Sequence, residues 1–202
     1  SRRIGKRERR SRRTNGIIQD IMHNFYSVES SKLGAFGIVW KEENNQTKVT
    51  KIFLPENKNN LIFKIKREYP SVKKSNSLNE FIFEIKRFLS GENIIFNLEL
   101  LDFGICTDFE KKVLLAEYNI PRGYVSTYSR IAKEIGNPKG ARAVGNALAN
   151  NPFPLIIPCH RAIRSDGTLG GFQGGLEMKK KLLENEGVFL SKGKVSIDKM
   201  YY

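Results

Sequence analysis

Cys159 and His160 stand side by side in a chain that has only two cysteines and two histidines. An apolar run, Leu155-Ile156-Ile157, leads into Pro158-Cys159-His160-Arg161, and a glycine-rich stretch from Gly167 to Gly175 follows. A thiol at the end of a buried segment, next to basic groups, is how a reactive cysteine is built. Free cysteine ionises near pH 8.5 and only the thiolate is nucleophilic, so it needs a base or a positive charge beside it. His160 is the candidate base, although side chains adjacent in sequence often diverge. A base in turn needs an orienting acceptor, and Glu186 is a candidate. It falls in the last turn of an amphipathic helix, Leu176 to Glu186, closed by Gly187. A carboxylate there opposes the helix dipole by about 0.3–1 kcal/mol when exposed. A solvated glutamate is the plainer reading of that position. Gly167, Gly170, Gly171, Gly174 and Gly175 offer backbone N–H groups free of side chains, suited to wrapping a planar base or an anion. No Lys-Ser/Thr follows at P-loop spacing.

The elements that must position these groups fall into two parts. From Ile17 to Phe53 the pattern is β-like, with strands at Phe25–Val28, Gly37–Trp40 and Val49–Phe53 joined by polar turns at 30–34 and 42–46. Residues 57–75 form a short strand or helix interrupted by Pro70. Ser77 with Glu80 reads as a capping box for a helix carrying Phe81, Ile82, Ile85, Phe88 and Leu89 on one stripe, ended by Gly91. Ile94 to Phe103 reads as a strand. His23 stands alone and carries no motif.

The second part starts near Asp102. Thr107 and Glu110 cap a helix with Phe109, Val113, Leu114 and Tyr118 on its apolar face. After the turn Pro121-Arg122-Gly123, Ser126 caps a helix from Thr127 to Ile135. Asn137-Pro138 starts the next one, which runs to about Asn150. Two short helices joined by a glycine turn form a helix-turn-helix pattern. In its second helix, Ala141, Val144 and Leu148 suit the core, while Arg142 lies about 200° from Val144 and points to solvent. The fold class expected is α+β. It comprises a basic arm (1–16), a small N-terminal domain of antiparallel sheet and helix (17–101), a mostly helical domain with a winged helix-turn-helix (102–190) and a tail (191–202).

The chain has 202 residues, 40% of them hydrophobic, with thirteen Phe, enough for an aromatic-rich core. Its net charge of +14 comes from 35 basic and 21 acidic residues and favours a polyanionic partner. Residues 1–16 hold eight basic residues and one acid, +7, which leaves +7 for the rest. No window approaches the 18 apolar residues of a membrane span, and the arm lacks the apolar core of a secretory signal. Cys106 and Cys159 make no disulfide framework, which points to a reducing, cytoplasmic setting. No standard zinc spacing exists among these cysteines and histidines, so no metal or other cofactor is expected.

At Pro158-Cys159-His160-Arg161 the sequence resembles the O6-alkylguanine-DNA alkyltransferase family. The resemblance extends through Gly136-Asn137-Pro138-Lys139, Ala141-Arg142-Ala143-Val144-Gly145, Asn151-Pro152, Gly170-Gly171-Phe172, Gly174-Gly175-Leu176 and Lys179 to Gly187, in the family's order, and covers about residues 102–190. It implies direct repair of DNA by a cofactor-free monomer. Duplex DNA would be held through its minor groove by the second helix, and the damaged guanine flipped out. Arg142 matches the family's arginine finger, and Tyr128 the tyrosine that helps rotate the nucleotide and donates a proton to the leaving guanine. Cys159 would take the alkyl group once and keep it as a thioether. His160 would accept the thiol proton through a water, Glu186 would orient His160, and Asn151 would hold the active-site turn. Lys139, Ala141 and Gly145, with Gly170, Gly171 and Lys179, would join Arg142 and Tyr128 at the DNA. Gln173 departs from the small residue many relatives carry in that loop. Zinc ligands that some relatives have in the N-terminal half cannot be assembled here. The rival readings are a non-catalytic lesion-binding relative, against which Cys159 argues, and a helix-turn-helix regulator with an incidental cysteine.

Overall fold

The computed structural model describes residues 23–43 and 46–202. The basic arm and the stretch from Ile17 to Met22 lie outside the described residues. Strands β1 (His23–Ser31), β2 (Gly34–Glu43) and β3 (Gln46–Glu56) form an antiparallel meander. A two-residue strand, β4 (Lys73–Lys74), adds to β1 in parallel and gives the order β3-β2-β1-β4. Alternation along β2 sorts the two faces of the sheet. Phe36, Ile38 and Trp40 face the main core, while Ala35 and Val39 meet α1 (Lys58–Glu68) through Leu61 and Ile65. Gly37 lets that helix close in, since a methyl there would sit 2.8 Å from Ile65 Cδ1. Residues 57–68, read from sequence as strand or helix, are thus a helix capped by Asn57.

Helix α2 (Asn79–Leu89) buries the expected stripe, Phe81, Ile82, Ile85, Phe88 and Leu89, on the other face of the sheet. The capping box at Ser77 does not form. Its hydroxyl donates instead to Glu42 at 2.9 Å, and Leu78 occupies the N-cap without a side-chain bond. Ile94 to Phe103 is not a strand. Asn97 and Asp102 accept from the backbone N–H groups of Glu99 and Gly104, winding the chain into 3-10 turns at Leu98–Leu100 and Phe103–Ile105. One bridge, Val49 with Leu101, ties this segment to β3.

Helix α3 (Asp108–Tyr118) has the capping box of Thr107 and Glu110. Ser126 and Thr127 form a short strand, β5, parallel to β6 (Ala162–Ile163). Ser126 therefore does not cap the next helix; its hydroxyl donates to Tyr201 O, and Thr127 caps α4 (Tyr128–Glu134) by accepting from Arg130 N–H. Asn137-Pro138 does not open the following helix either. Gly140 N–H donates to Asn137 O at 2.8 Å, closing a turn with Pro138 in it, and α5 runs Ala141–Ala149 from Gly140. The helices α4 and α5 pack on α3 and on each other.

A last helix, α6 (Leu176–Asn185), leads to a hairpin of β7 (Leu190–Ser191) and β8 (Lys194–Val195). Residues 191–202 are not a loose tail: Val195 N–H donates to Gly167 O at 3.0 Å and Tyr201 N–H to Val125 O at 2.7 Å. One buried cluster runs from Phe36 through Phe81 and Val113 to Ile157 and Leu182, crossing the boundary expected near residue 101. The architecture is α+β, with sheet and helices sharing one core.

Candidate active site

Asn151 begins the turn that carries the cysteine. It is buried, its Oδ1 accepts from Phe153 N–H at 2.9 Å, and its Nδ2 donates to Ile157 O at 3.1 Å. The side chain thus staples both ends of Phe153–Ile157, and Ile157 N–H closes the loop on Phe153 O. Within it Leu155 adopts φ 76°, a left-handed conformation that costs a branched residue on the order of 1–3 kcal/mol. Burial of Phe153, Leu155, Ile156 and Ile157 holds it there. Pro158 then turns the chain into a 3-10 turn, Cys159–Arg161.

Cys159 is 5% exposed and lies on the floor of a cavity of about 490 Å³. Its walls are Tyr128 of α4, Arg142, Gly145 and Leu148 of α5, and Gly171, Phe172 and Gln173 of the glycine-rich loop. Burial pushes the Cys159 thiol up to about 12, against the pull of a hydrogen bond from Asn151. The resting sulfur is protonated and needs a base.

The next residue in the chain is His160. His160 is fully buried, and its Nε2 lies 3.0 Å from Glu186 Oε1. The carboxylate can only accept, so Nε2 carries the proton and Nδ1 presents a lone pair. Nδ1 is buried and has no partner among the described residues. Burial lowers the His160 pKa despite the pull of Glu186, which keeps the imidazole neutral and able to take a proton. Glu186 is not solvated. It caps α6 inside the protein at 6% exposed, and Arg161 grips it in a fork: Nε donates to Oε2 and Nη2 to Oε1, each at 2.8 Å. Arg161 Nη1 donates to Ile120 O at 2.6 Å. Burial raises the Glu186 pKa, but the charges and hydrogen bonds of His160 and Arg161 outweigh it and hold it at about 2. Arg161 is a permanent cation, so the carboxylate stays ionised when His160 is neutral. The sequence reading gave Arg161 no role.

Tyr128 is half-buried at the first turn of α4, and burial raises its pKa, so the phenol keeps its proton. A methyl on Gly170 would sit 3.0 Å from its hydroxyl, which explains a glycine there, at φ 69°. Gly171 opens onto the cavity. Gln173 fastens the loop by donating to Ala149 O at 2.7 Å and Asn151 O at 3.1 Å. On α5, Val144, Ala147 and Leu148 are buried; Ala141 lines the cavity mouth and does not face the core; Arg142 is exposed. Lys139 is exposed in the turn before it.

Lys179 does not belong to a DNA-facing surface. It is fully buried, and Nζ donates to the carbonyls of Ala162 at 2.5 Å, Leu169 at 2.6 Å and Gly171 at 3.1 Å. Its three donors are spent on pinning the glycine-rich loop to β6, a positioning role. Burial lowers it to about 8. Glu117 of α3 was missed altogether. It is fully buried, neither carboxyl oxygen has a hydrogen-bond partner among the described residues, and burial raises it to about 8 against the pull of Lys179 and Arg161. Cys106 is half-buried, with its pKa raised by burial and then by Glu110.

A sequence model described as 6-O-methylguanine DNA methyltransferase, DNA binding domain, matches residues 108–188. A methylated-DNA–protein-cysteine methyltransferase of Methanothermobacter thermautotrophicus is 42% identical over 154 residues, 76% of this chain and 80% of that one. The chain belongs to the methylated-DNA–protein-cysteine methyltransferase family. Solved members have the same fold. The Mycobacterium tuberculosis protein OGT in complex with DNA superposes with a TM-score of 0.65 at 30% identity, covering 80% of this chain and 92% of that one. The O6-methylguanine-DNA methyltransferase of Pyrococcus kodakaraensis does so with a TM-score of 0.61 at 29% identity, over 82% and 99%. Family membership thus joins the chain to one reaction class, alkyl transfer from DNA to a protein cysteine. Among the described residues no helix is long and apolar enough to cross a membrane.

Proposed function

We propose that the methyltransferase activity of this chain repairs O6-alkylguanine in duplex DNA by moving the alkyl group onto Cys159, once per molecule. The observation that carries this reading is the buried thiol at the floor of a base-sized cavity, with the neutral His160, Glu186 and Arg161 ranked behind it. His160 Nδ1, acting through one water, takes the thiol proton as sulfur attacks the alkyl carbon. The carbon–oxygen bond breaks, the electron pair leaves on guanine, and the Tyr128 hydroxyl supplies a proton to it. The thiolate is soft and suits attack on saturated carbon; the thioether that results has no easy hydrolysis. Asn151 stabilises the sulfur as its charge develops.

A thiol this deeply placed is out of reach of a base stacked in a duplex, which supports extrusion of the nucleotide into the cavity. Arg142, exposed at the cavity rim on a helix of small residues, is suited to fill the vacated stack from the minor groove, with Lys139, Ala141, Gly145 and the Gly170-Gly171 backbone against the strand. Every group in the sequence of steps comes from one chain, which supports action as a monomer. The test is incubation with duplex DNA carrying radiolabelled O6-methylguanine. Label should appear on the wild-type protein in a one-to-one limit and be absent from Cys159→Ser. Transfer that survives Cys159→Ser, or none in the wild type, overturns the assignment.

A further inference from the structure

The hairpin β7–β8 follows the last helix of the DNA-binding domain, whose match ends at residue 188. Its tip is a two-residue turn, Lys192-Gly193, with φ of 49° and 77°. Both central residues of such a turn need positive φ, where Asn or Gly is the usual choice at the first position. Lysine there is placed against local preference, and its side chain is exposed. The hairpin does not stand free. Beyond the bond from Val195 to Gly167, a methyl on Gly167 would touch Lys194 Cβ at 3.4 Å. Gly167 belongs to the turn that starts at Arg164, and Arg164 Cγ lies 3.3 Å from where a methyl on Gly170 would be, next to the Tyr128 hydroxyl. A cleft of about 330 Å³ joins Arg164, Gly170 and Lys180 to Leu190 and Gly193.

Together these residues form a track of exposed cations, Arg164, Lys180, Lys194 and Lys192, running from the cavity mouth to the hairpin tip. Three carboxylates share this surface: Asp166, held ionised by the hydroxyl and N–H of Thr168, Glu177 in the wall of the cleft, and Glu184, 3.8 Å from Lys180. Arg142 lines the cavity from α5, and Lys139 is exposed in the turn before that helix.

We propose that the β7–β8 hairpin is a second DNA-binding element, in which Lys192 and Lys194 hold backbone phosphates of the duplex beside the cavity. Charge complementarity and continuity with the cavity mouth carry this, and it rests on the DNA-repair reading above. The hairpin carries no base-reading group at its tip, so its grip is indifferent to sequence and shows in the salt dependence of binding.

The test compares wild type, Lys192→Gln/Lys194→Gln, and a control, Lys58→Gln/Lys66→Gln on α1, which removes the same charge from the opposite face of the sheet. Affinity for a labelled undamaged duplex is measured over a series of salt concentrations, with transfer from free O6-benzylguanine as the check on folding and chemistry. Removing one lysine–phosphate pairing lowers the slope of log K against log salt by about 0.9. The slope of the hairpin variant should fall by about 1–2 and that of the control should stay the same, and all three should react equally with the free base. An unchanged slope in the hairpin variant, or an equal fall in the control, overturns the proposal while leaving the repair reading intact. A wild type that binds no duplex at all overturns both.

Discussion

Replacing Glu186 by Gln keeps the shape of the side chain and removes the charge that Arg161 and His160 share. The Glu186 pKa lies at about 2 in the folded protein against an ordinary 4.5. A depressed carboxylate contributes stability above its unfolded pKa and loses it as pH falls through the folded one. The group is buried, so solvent screening does not discount the effect. The depression from 4.5 to about 2 corresponds to about 3 kcal/mol at pH 7, falling to about 1 kcal/mol at pH 3. The variant also leaves the buried Arg161 guanidinium without a counter-charge and with only one side-chain oxygen to donate to, which raises the expected cost to about 3–5 kcal/mol at neutral pH. Urea unfolding at pH 7, 4 and 3 measures it. The gap between wild type and Glu186→Gln should narrow by about 2 kcal/mol towards acid. Alkyl transfer from free O6-benzylguanine should slow on the order of 10²-fold, because an amide in place of the carboxylate no longer fixes His160 with Nδ1 unprotonated. A stability gap that is independent of pH refutes the account of Glu186 as the buried counter-charge. An unchanged rate refutes its role in holding the base.

Glu117→Gln should act with the opposite sign. The carboxyl sits at about 8 in the fold, so its favourable contribution is complete below pH 4.5 and lost as pH rises towards 8. The glutamine variant should therefore gain on wild type over that range, by about 1–3 kcal/mol at pH 7. Thermal unfolding at pH 5 and pH 8 checks it, and a difference that does not grow with pH refutes it. Arg142→Ala should slow repair of duplex DNA by at least about tenfold, the scale of a positioning group, while leaving the reaction with free O6-benzylguanine unchanged. Parallel loss on both substrates would remove Arg142 from the handling of the duplex.

Local rules made some of this fold legible and tertiary competition hid the rest. The capping box at Thr107 formed, with its hydroxyl bonded to Glu110, whereas the one at Ser77 was lost to Glu42 from a neighbouring strand. The alternating residues 94–103 looked like a strand, yet Asn97 and Asp102 turned their own backbone away from the ladder. At the site, Cys159 and His160 were visible as a pair, but the fork from Arg161 to Glu186 spans 25 residues and depends on where α6 ends. A signal for the missing partners did exist. On α6, Lys179 and Glu186 share the helical stripe of Leu182 and Leu183, at spacings of three, four and seven. On α3, Glu117 continues the stripe of Val113 and Leu114. Charged residues on an otherwise apolar stripe must be buried with the helix face they occupy, and a buried charge persists only where others meet it. Lys179, Glu186 and Glu117 converge from two helices on the turn of Cys159, and their positions in the apolar pattern carry that information before any coordinate does.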